Sequence, residues 1–328
     1  MRIFLNLVAA VTAAALLAPH VQAGNATIQE WQVPWEQTRP RDPAVAPDGT
    51  IWFVGQAGDY IGHFDPASQD FEHFPLPDGT GPHNVIVTVD GEIWYTGNRA
   101  AHVGRLDPES GDIHKVAMPD DRARDPHTLI EAPDGNLWFT VQGGNLIGHM
   151  ERGSEEVSLI DVPFDRARPY GIVVTPDGRP WATLFGTNRL ATVDPASMEL
   201  STVELPREDA RPRRLARTDN GRIWYVDYAQ GYIGRFDPAD ESFREWRSPA
   251  AGRAHPYGMV ADDENRLWYV ETGPQPNVFV GFDPETETFS ETPIPSGAGA
   301  VRHMDFDAER NAVWFGTDAD TLGRADLP

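Results

Sequence analysis

The chain has no cysteine and a single lysine, Lys115. The first absence excludes disulfides, a lipoprotein anchor, thiolate metal sites and a cysteine nucleophile together. Basic residues number 27 against 50 acidic ones, for a formal net charge of −23. So acidic a chain repels phosphate backbones, which removes nucleic acid as a partner; the charge reads as solubility rather than as a binding device. There is no Gly-x-Ser-x-Gly elbow, no phosphate loop and no dinucleotide fingerprint, which disfavours serine-hydrolase and nucleotide chemistry. Long hydrophobic runs are missing apart from Ile3 to Leu17, which is short of the ~20 residues a membrane span needs. Met1-Arg2 precedes that run and Val21-Gln22-Ala23 follows it. This pattern predicts a secretory signal at residues 1–23 and a periplasmic or secreted protein over residues 24–328, with no membrane span.

What the chain does contain is a repeat. Tryptophans at Trp52, Trp94, Trp138, Trp181, Trp224, Trp268 and Trp314 lie 42, 44, 43, 43, 44 and 46 residues apart. Most follow a tight-turn sequence such as Pro47-Asp48-Gly49, Pro133-Asp134-Gly135 or Asp219-Asn220-Gly221, which supplies the positive φ a hairpin requires. Six of the seven units continue through an apolar-Gly pair (Ile61-Gly62, Ile147-Gly148 and Ile233-Gly234 among them), and most carry an Asp-Pro turn and an outer strand ending in proline. Four short strands per unit, with no convincing helix, make one propeller blade. The fold class is therefore all-β, a seven-bladed β-propeller of four-stranded antiparallel blades, with the tryptophans in the core. The seventh unit stops at Pro328 without an outer strand, and Ile28 to Pro34 has the rhythm of one. The N-terminal strand is expected to complete the last blade and close the ring, leaving no inner edge.

In a propeller, equivalent loop residues converge on the central channel. Aligned on the turns, the units place Arg41, His83, His127, Tyr170, Arg213, Tyr257 and His303 just before each innermost strand. A second set past the tryptophans includes Gln56, Asn98, Gln142, Tyr228, Asp227, Glu271 and Asp318, with Leu184-Phe185 as an apolar wall. Together they predict a polar pocket at one end of the channel. Histidines and carboxylates facing one channel could hold a divalent cation: Mg²⁺ or Ca²⁺ on oxygen ligands, or a transition metal on imidazoles. No local spacing of His-Glu-x-x-His type supports this.

Units such as Pro-Tyr257-Gly-Met…Leu-Trp268-Tyr and Pro-Tyr170-Gly-Ile resemble those of the streptogramin B (virginiamycin B) lyases, from about Ile28 to Pro328. The resemblance implies an Mg²⁺-dependent elimination that opens an ester bond, with a last-blade histidine as general base falling on His303 and a metal-side carboxylate falling on Asp318. Three other family positions fall on Tyr257 for a histidine, Val301 for a glutamate and Arg41 for a tyrosine. These departures weaken metal binding and proton transfer and speak against streptogramin cleavage itself.

Two functions follow. The first is a metal-assisted lyase, or a lactonase- or esterase-like hydrolase, on a small ester or lactone. His303 would be the base, Asp318 with Glu271 or Asp227 would hold metal or water, and Tyr257 and Tyr170 would stabilise developing charge. Arg41 or Arg213 would anchor a carboxylate, with His83, His127 and Tyr228 also lining the substrate site. The second is a non-catalytic periplasmic propeller that binds a ligand or a protein. Either would act as a monomer.

Overall fold

The computed structural model describes residues 25–328; the expected signal segment lies outside them. Those residues form seven four-stranded antiparallel sheets in chain order. The first blade, for example, runs Pro40–Val45, Ile51–Gly55, Tyr60–Asp65 and Asp70–Pro75 from the axis outward. The last blade combines Met304–Asp307, Ala312–Gly316 and Thr321–Asp326 with the N-terminal Thr27–Gln32, which pairs antiparallel to Thr321–Asp326. The ring is closed as the sequence predicts.

The repeat residues explain why. Gly49, Gly135 and Gly221 adopt φ near +80° in the inner hairpins, the conformation that Asp-Gly and Asn-Gly turns supply. The glycine after the apolar residue of the third strand leaves room for an aromatic ring of the second: a Cβ on Gly148 would sit 2.2 Å from the Phe139 ring. All seven repeat tryptophans are buried, and the hydrophobic core divides into seven clusters, each joining two consecutive blades. Trp94 thus meets Leu129, Leu137 and Phe139 of the next blade. No blade could bury its faces alone; the ring is what folds. Among the described residues no helix is long and apolar enough to cross a membrane.

Candidate functional site

The innermost strand does not pair evenly with its neighbour. In the first six blades the register shifts at the start of that strand, between Arg41 and Ala44, Pro82 and Val85, Pro126 and Leu129, Pro169 and Ile172, Pro212 and Leu215, and Pro256 and Met259. Such a bulge bends the strand and re-aims the side chains it carries. Here it turns two consecutive residues per blade toward the axis, giving an upper ring at the channel mouth and a lower ring beneath it.

The pairing also corrects the alignment read from the turns. Asp305 lies opposite Trp314, as Ile130 lies opposite Trp138 and Val260 opposite Trp268. Counting back three residues from each, the seventh member of the upper ring is Arg302, not His303. His303 belongs to the lower ring with Asp42, Asn84, Thr128, Gly171, Arg214 and Gly258. The last blade lacks the proline that starts the inner strand elsewhere, so aligning on the turn slipped by one residue.

The upper ring forms an arc. His83 and His127 stack with ring centroids 3.6 Å apart, His127 and Tyr170 at 4.1 Å, and the Tyr170 and Tyr257 hydroxyls hydrogen-bond to each other. Between those two tyrosines, from the intervening blade, comes Arg213. Its guanidinium carbon lies 3.6 Å from the Tyr257 ring centroid, 4.3 Å from Tyr228, 4.8 Å from Phe185 and 5.2 Å from Tyr170, an aromatic cage that favours a cation. Among the described residues no carboxylate pairs with it, and its buried Nε has no partner. Arg41 donates to Gln56 at 3.1 Å, and its Nη2 is buried without a partner. Arg302 makes a two-pronged pair with Asp318, which Arg39 also approaches at 3.7 Å.

The lower ring is held by a charge. Arg214 crosses the axis from the fifth blade. It donates to the Arg302 carbonyl at 2.8 Å, to Thr128 Oγ1 at 2.9 Å and to Asp42 Oδ2 at 3.4 Å, on the seventh, third and first blades. Asp42, fully buried, also accepts from Arg41 at 2.9 Å and Asn84 at 3.3 Å. Gly171 lets the chain pass: a Cβ there would lie 2.9 Å from the Arg214 Cα. On the far side of this bar the channel widens into a cavity of about 460 Å³, walled by Ile172, Leu215, Met259 and Met304 with His303 and Asp305.

The expected cluster of His303 with three carboxylates is therefore not assembled. His303 faces the lower cavity, while Asp318 is engaged by arginines at the mouth. Asp227 and Glu271 end the second strand of their blades and turn into the loops. Asp227 accepts the backbone N–H groups of Arg211, Ala229 and Gln230 and pairs with Arg207 at 2.9 Å. Glu271 accepts Ser248 Oγ and the Ala250 N–H. Both serve as loop caps. Sequence reasoning missed Asp42, Arg214 and Arg302. The signal was the residue after each ring position, glycine in two blades but Asp42, Asn84, Thr128 or Arg214 in four.

The donor set does not fit the magnesium that the resemblance implies. A hard dication needs several free oxygen ligands, yet the mouth gathers Arg41, Arg213, Arg214 and Arg302 around Asp42 and Asp318, both already paired. No group of three or more His, Asp or Glu among the described residues is placed to share a metal ion. The two rings thus gather cations on the axis of an acidic protein.

Titration follows from this. Burial pushes the Asp42 carboxyl upward, but Arg41, Arg214 and His303 outweigh it and hold the group well below the usual range. Burial, with the arginines beside them, lowers His83 and His127 strongly and takes His303 to about 4. Burial raises Asp305 to about 6. A histidine kept neutral in the folded chain binds its proton first in the unfolded one, so its stabilising contribution is complete above pH ~6.5 and is lost as pH falls toward its folded value. Asp305 acts oppositely, but only below about 6. The melting temperature is accordingly expected to fall from pH 7 to pH 5. Each unmatched proton costs about 1.4 kcal/mol per pH unit, so three such histidines, partly offset by Asp305 below about 6, leave roughly 3 kcal/mol per unit. Calorimetry across that range checks it; a flat profile would contradict neutral buried imidazoles.

Burial opposes ionisation of Tyr170 as well. Arg213, Arg214, Arg41 and the hydrogen bond from Tyr257 outweigh it, so this phenol lies below its ordinary value, while burial and the neighbouring Tyr170 push Tyr257 up.

Comparison with known proteins gives three findings. The sequence profile of the virginiamycin B lyase family matches residues 26–325. No curated protein matches the chain. Among solved structures, virginiamycin B lyase from Staphylococcus aureus is 23% identical, with a TM-score of 0.84 over 92% of this chain and 100% of that one. A catalytically inactive histidine-to-alanine variant of that lyase with quinupristin is 22% identical, with a TM-score of 0.85 over 92% and 100%. The extracellular domain of a hybrid two-component system from B. thetaiotaomicron is 16% identical, with a TM-score of 0.72, over 92% of this chain and 43% of that chain. At these identities the solved structures share the fold.

Proposed function

We propose, for a chain that belongs to the virginiamycin B lyase family, that the channel mouth captures a small carboxylate-bearing molecule and breaks an ester- or lactone-type carbon–oxygen bond in it without a divalent cation. The observation that carries this is Arg213: a guanidinium caged by four aromatic rings, facing the mouth, with no carboxylate partner among the described residues. Burying an unpaired cation is costly, and an anionic ligand resolves that cost by a charge-assisted bond. Arg41, with an unpartnered Nη2, is placed to share the same anion. The aromatic arc supplies a wall for the apolar remainder of the ligand. The streptogramin named for the related lyases fits less well, because by the resemblance Tyr257 and Arg41 stand where that family has a histidine and a tyrosine. Export through the segment at residues 1–23 and a monomeric state belong to the same reading.

Thermal shift with N-acetylamino acids and hydroxy acids, with and without EDTA, tests it. Wild-type protein should be stabilised by carboxylates, not by their amides, and EDTA should change nothing. Arg213→Met should weaken binding at least tenfold, about 1.4 kcal/mol. Binding that requires added Mg²⁺, or equal binding of amides, would overturn the proposal. Binding with no turnover on any ester would favour the non-catalytic reading, to which the departures at Tyr257 and Arg41 also point.

A further inference from the structure

We infer that Tyr170 is the group that takes the substrate proton, and that the site runs its elimination on a tyrosine–arginine pair instead of an imidazole and a metal. This rests on the carboxylate-binding reading above. The geometry carries it in three ways. The Tyr170 and Tyr257 hydroxyls meet each other, so each phenol can exchange a proton with its neighbour. Arginines flank the pair from two sides: Arg213 against the Tyr257 ring, and Arg214 with its guanidinium carbon 5.2 Å from the centroid of Tyr170. Tyr170 is the ring that both guanidiniums approach, each at 5.2 Å; Arg214 has Asp42 as its partner, but Arg213 has no carboxylate among the described residues, so its charge is left to a phenolate or a ligand. His303, the alternative base, lies beyond the Arg214 bar and faces the other cavity. The lowered pKa of Tyr170, where the arginines outweigh burial, agrees with this placement.

The step balances as follows. A substrate with an acyloxy group β to its carboxylate docks on Arg213 and Arg41. The Tyr170 phenolate takes the proton from the carbon between them. The C–H electron pair becomes the new C=C bond, and the β-carbon–oxygen bond breaks with its electrons on the acyl oxygen, which leaves as a carboxylate. The proton on Tyr170 passes to Tyr257 and out to water, restoring the phenolate. The arginines stabilise charge that builds on the substrate carboxylate as the proton departs.

The test uses the full chain with N-acetyl-O-acetylthreonine as probe. Proton NMR in D₂O follows α-proton exchange and release of acetate, thermal shift follows binding, and ultraviolet titration of the ligand-free protein follows tyrosinate. Wild type should bind the probe, exchange or eliminate, and show one tyrosine ionising below the ordinary phenol range. Tyr170→Phe should lose that early tyrosinate and at least about 100-fold in kcat, with KM within a few-fold. Tyr257→Phe should keep the ionising phenol but slow turnover. A probe that fails to bind would overturn the anion site itself. A probe that binds but neither exchanges nor eliminates would overturn the inference alone, as would a Tyr170→Phe protein as active as wild type. Loss of turnover confined to His303→Asn would return the role to imidazole.

Discussion

A chain lacking residues 25–34 is expected to show no cooperative unfolding transition. Those residues supply the outer strand of the last blade, paired over Thr27 to Gln32 with Asp326 to Thr321. They also carry Trp31, stacked on Trp314 with centroids 5.4 Å apart and against Phe64 at 5.3 Å, and the buried Val33. This is the seam between the last blade and the first, where Ile51, Phe53, Tyr60 and Leu322 also meet. Truncating a single buried tryptophan costs about 3–5 kcal/mol, and a domain's whole stability is about 5–15 kcal/mol. Removing the strand takes several such contacts at once and bares the edge at Thr321–Asp326 to other chains. Circular dichroism in urea checks it. Trp31→Ala, which removes a half-buried ring, should fold but lose about 1–3 kcal/mol; a truncated chain with a near-native midpoint would mean that the seam holds without the strand.

Asp42→Asn is expected to destabilise the protein by about 3–5 kcal/mol, the range for breaking a buried ion pair from one side. The substitution keeps the shape and removes the charge. Two guanidiniums, Arg41 and Arg214, then stay buried with no carboxylate between them. Asparagine tolerates the left-handed φ of 48° at this position, so the loss reports charge rather than strain. Adding Arg214→Met should recover part of it, because the cation left unpaired is gone. The non-additivity in a double-mutant cycle measures the pair. Stability of Asp42→Asn within about 0.5 kcal/mol of wild type would mean that the hub contributes little.

Nearly all of the fold was legible in the sequence, and the reason is repetition. One turn, one tryptophan and one glycine recur in most blades, so an error at one unit is corrected by the others. The site was legible only where it shares that repetition. Arg41, His83, His127, Tyr170, Arg213 and Tyr257 follow the same bulge, and the structure places them on one ring as the alignment expects. Arg302 and His303 sit in the one blade whose inner strand begins without proline, and there the frame slipped. The carboxylates Asp227 and Glu271 stand apart from the ring for another reason. A position at the end of the second strand looks toward the channel in a linear alignment, but the loop N–H groups at Asp227 and Glu271 need acceptors, and they take them. Arg214 could not be weighed at all, since its role depends on partners from three other blades.

That crossing arginine has a kinetic meaning. A solute cannot traverse the axis without displacing bonds to three blades, so the mouth is a cul-de-sac with one doorway. Any conversion that yields two fragments must discharge both through the opening by which the parent arrived. On the proposed chemistry the fragment held by Arg213 would leave last and would be the stronger product inhibitor.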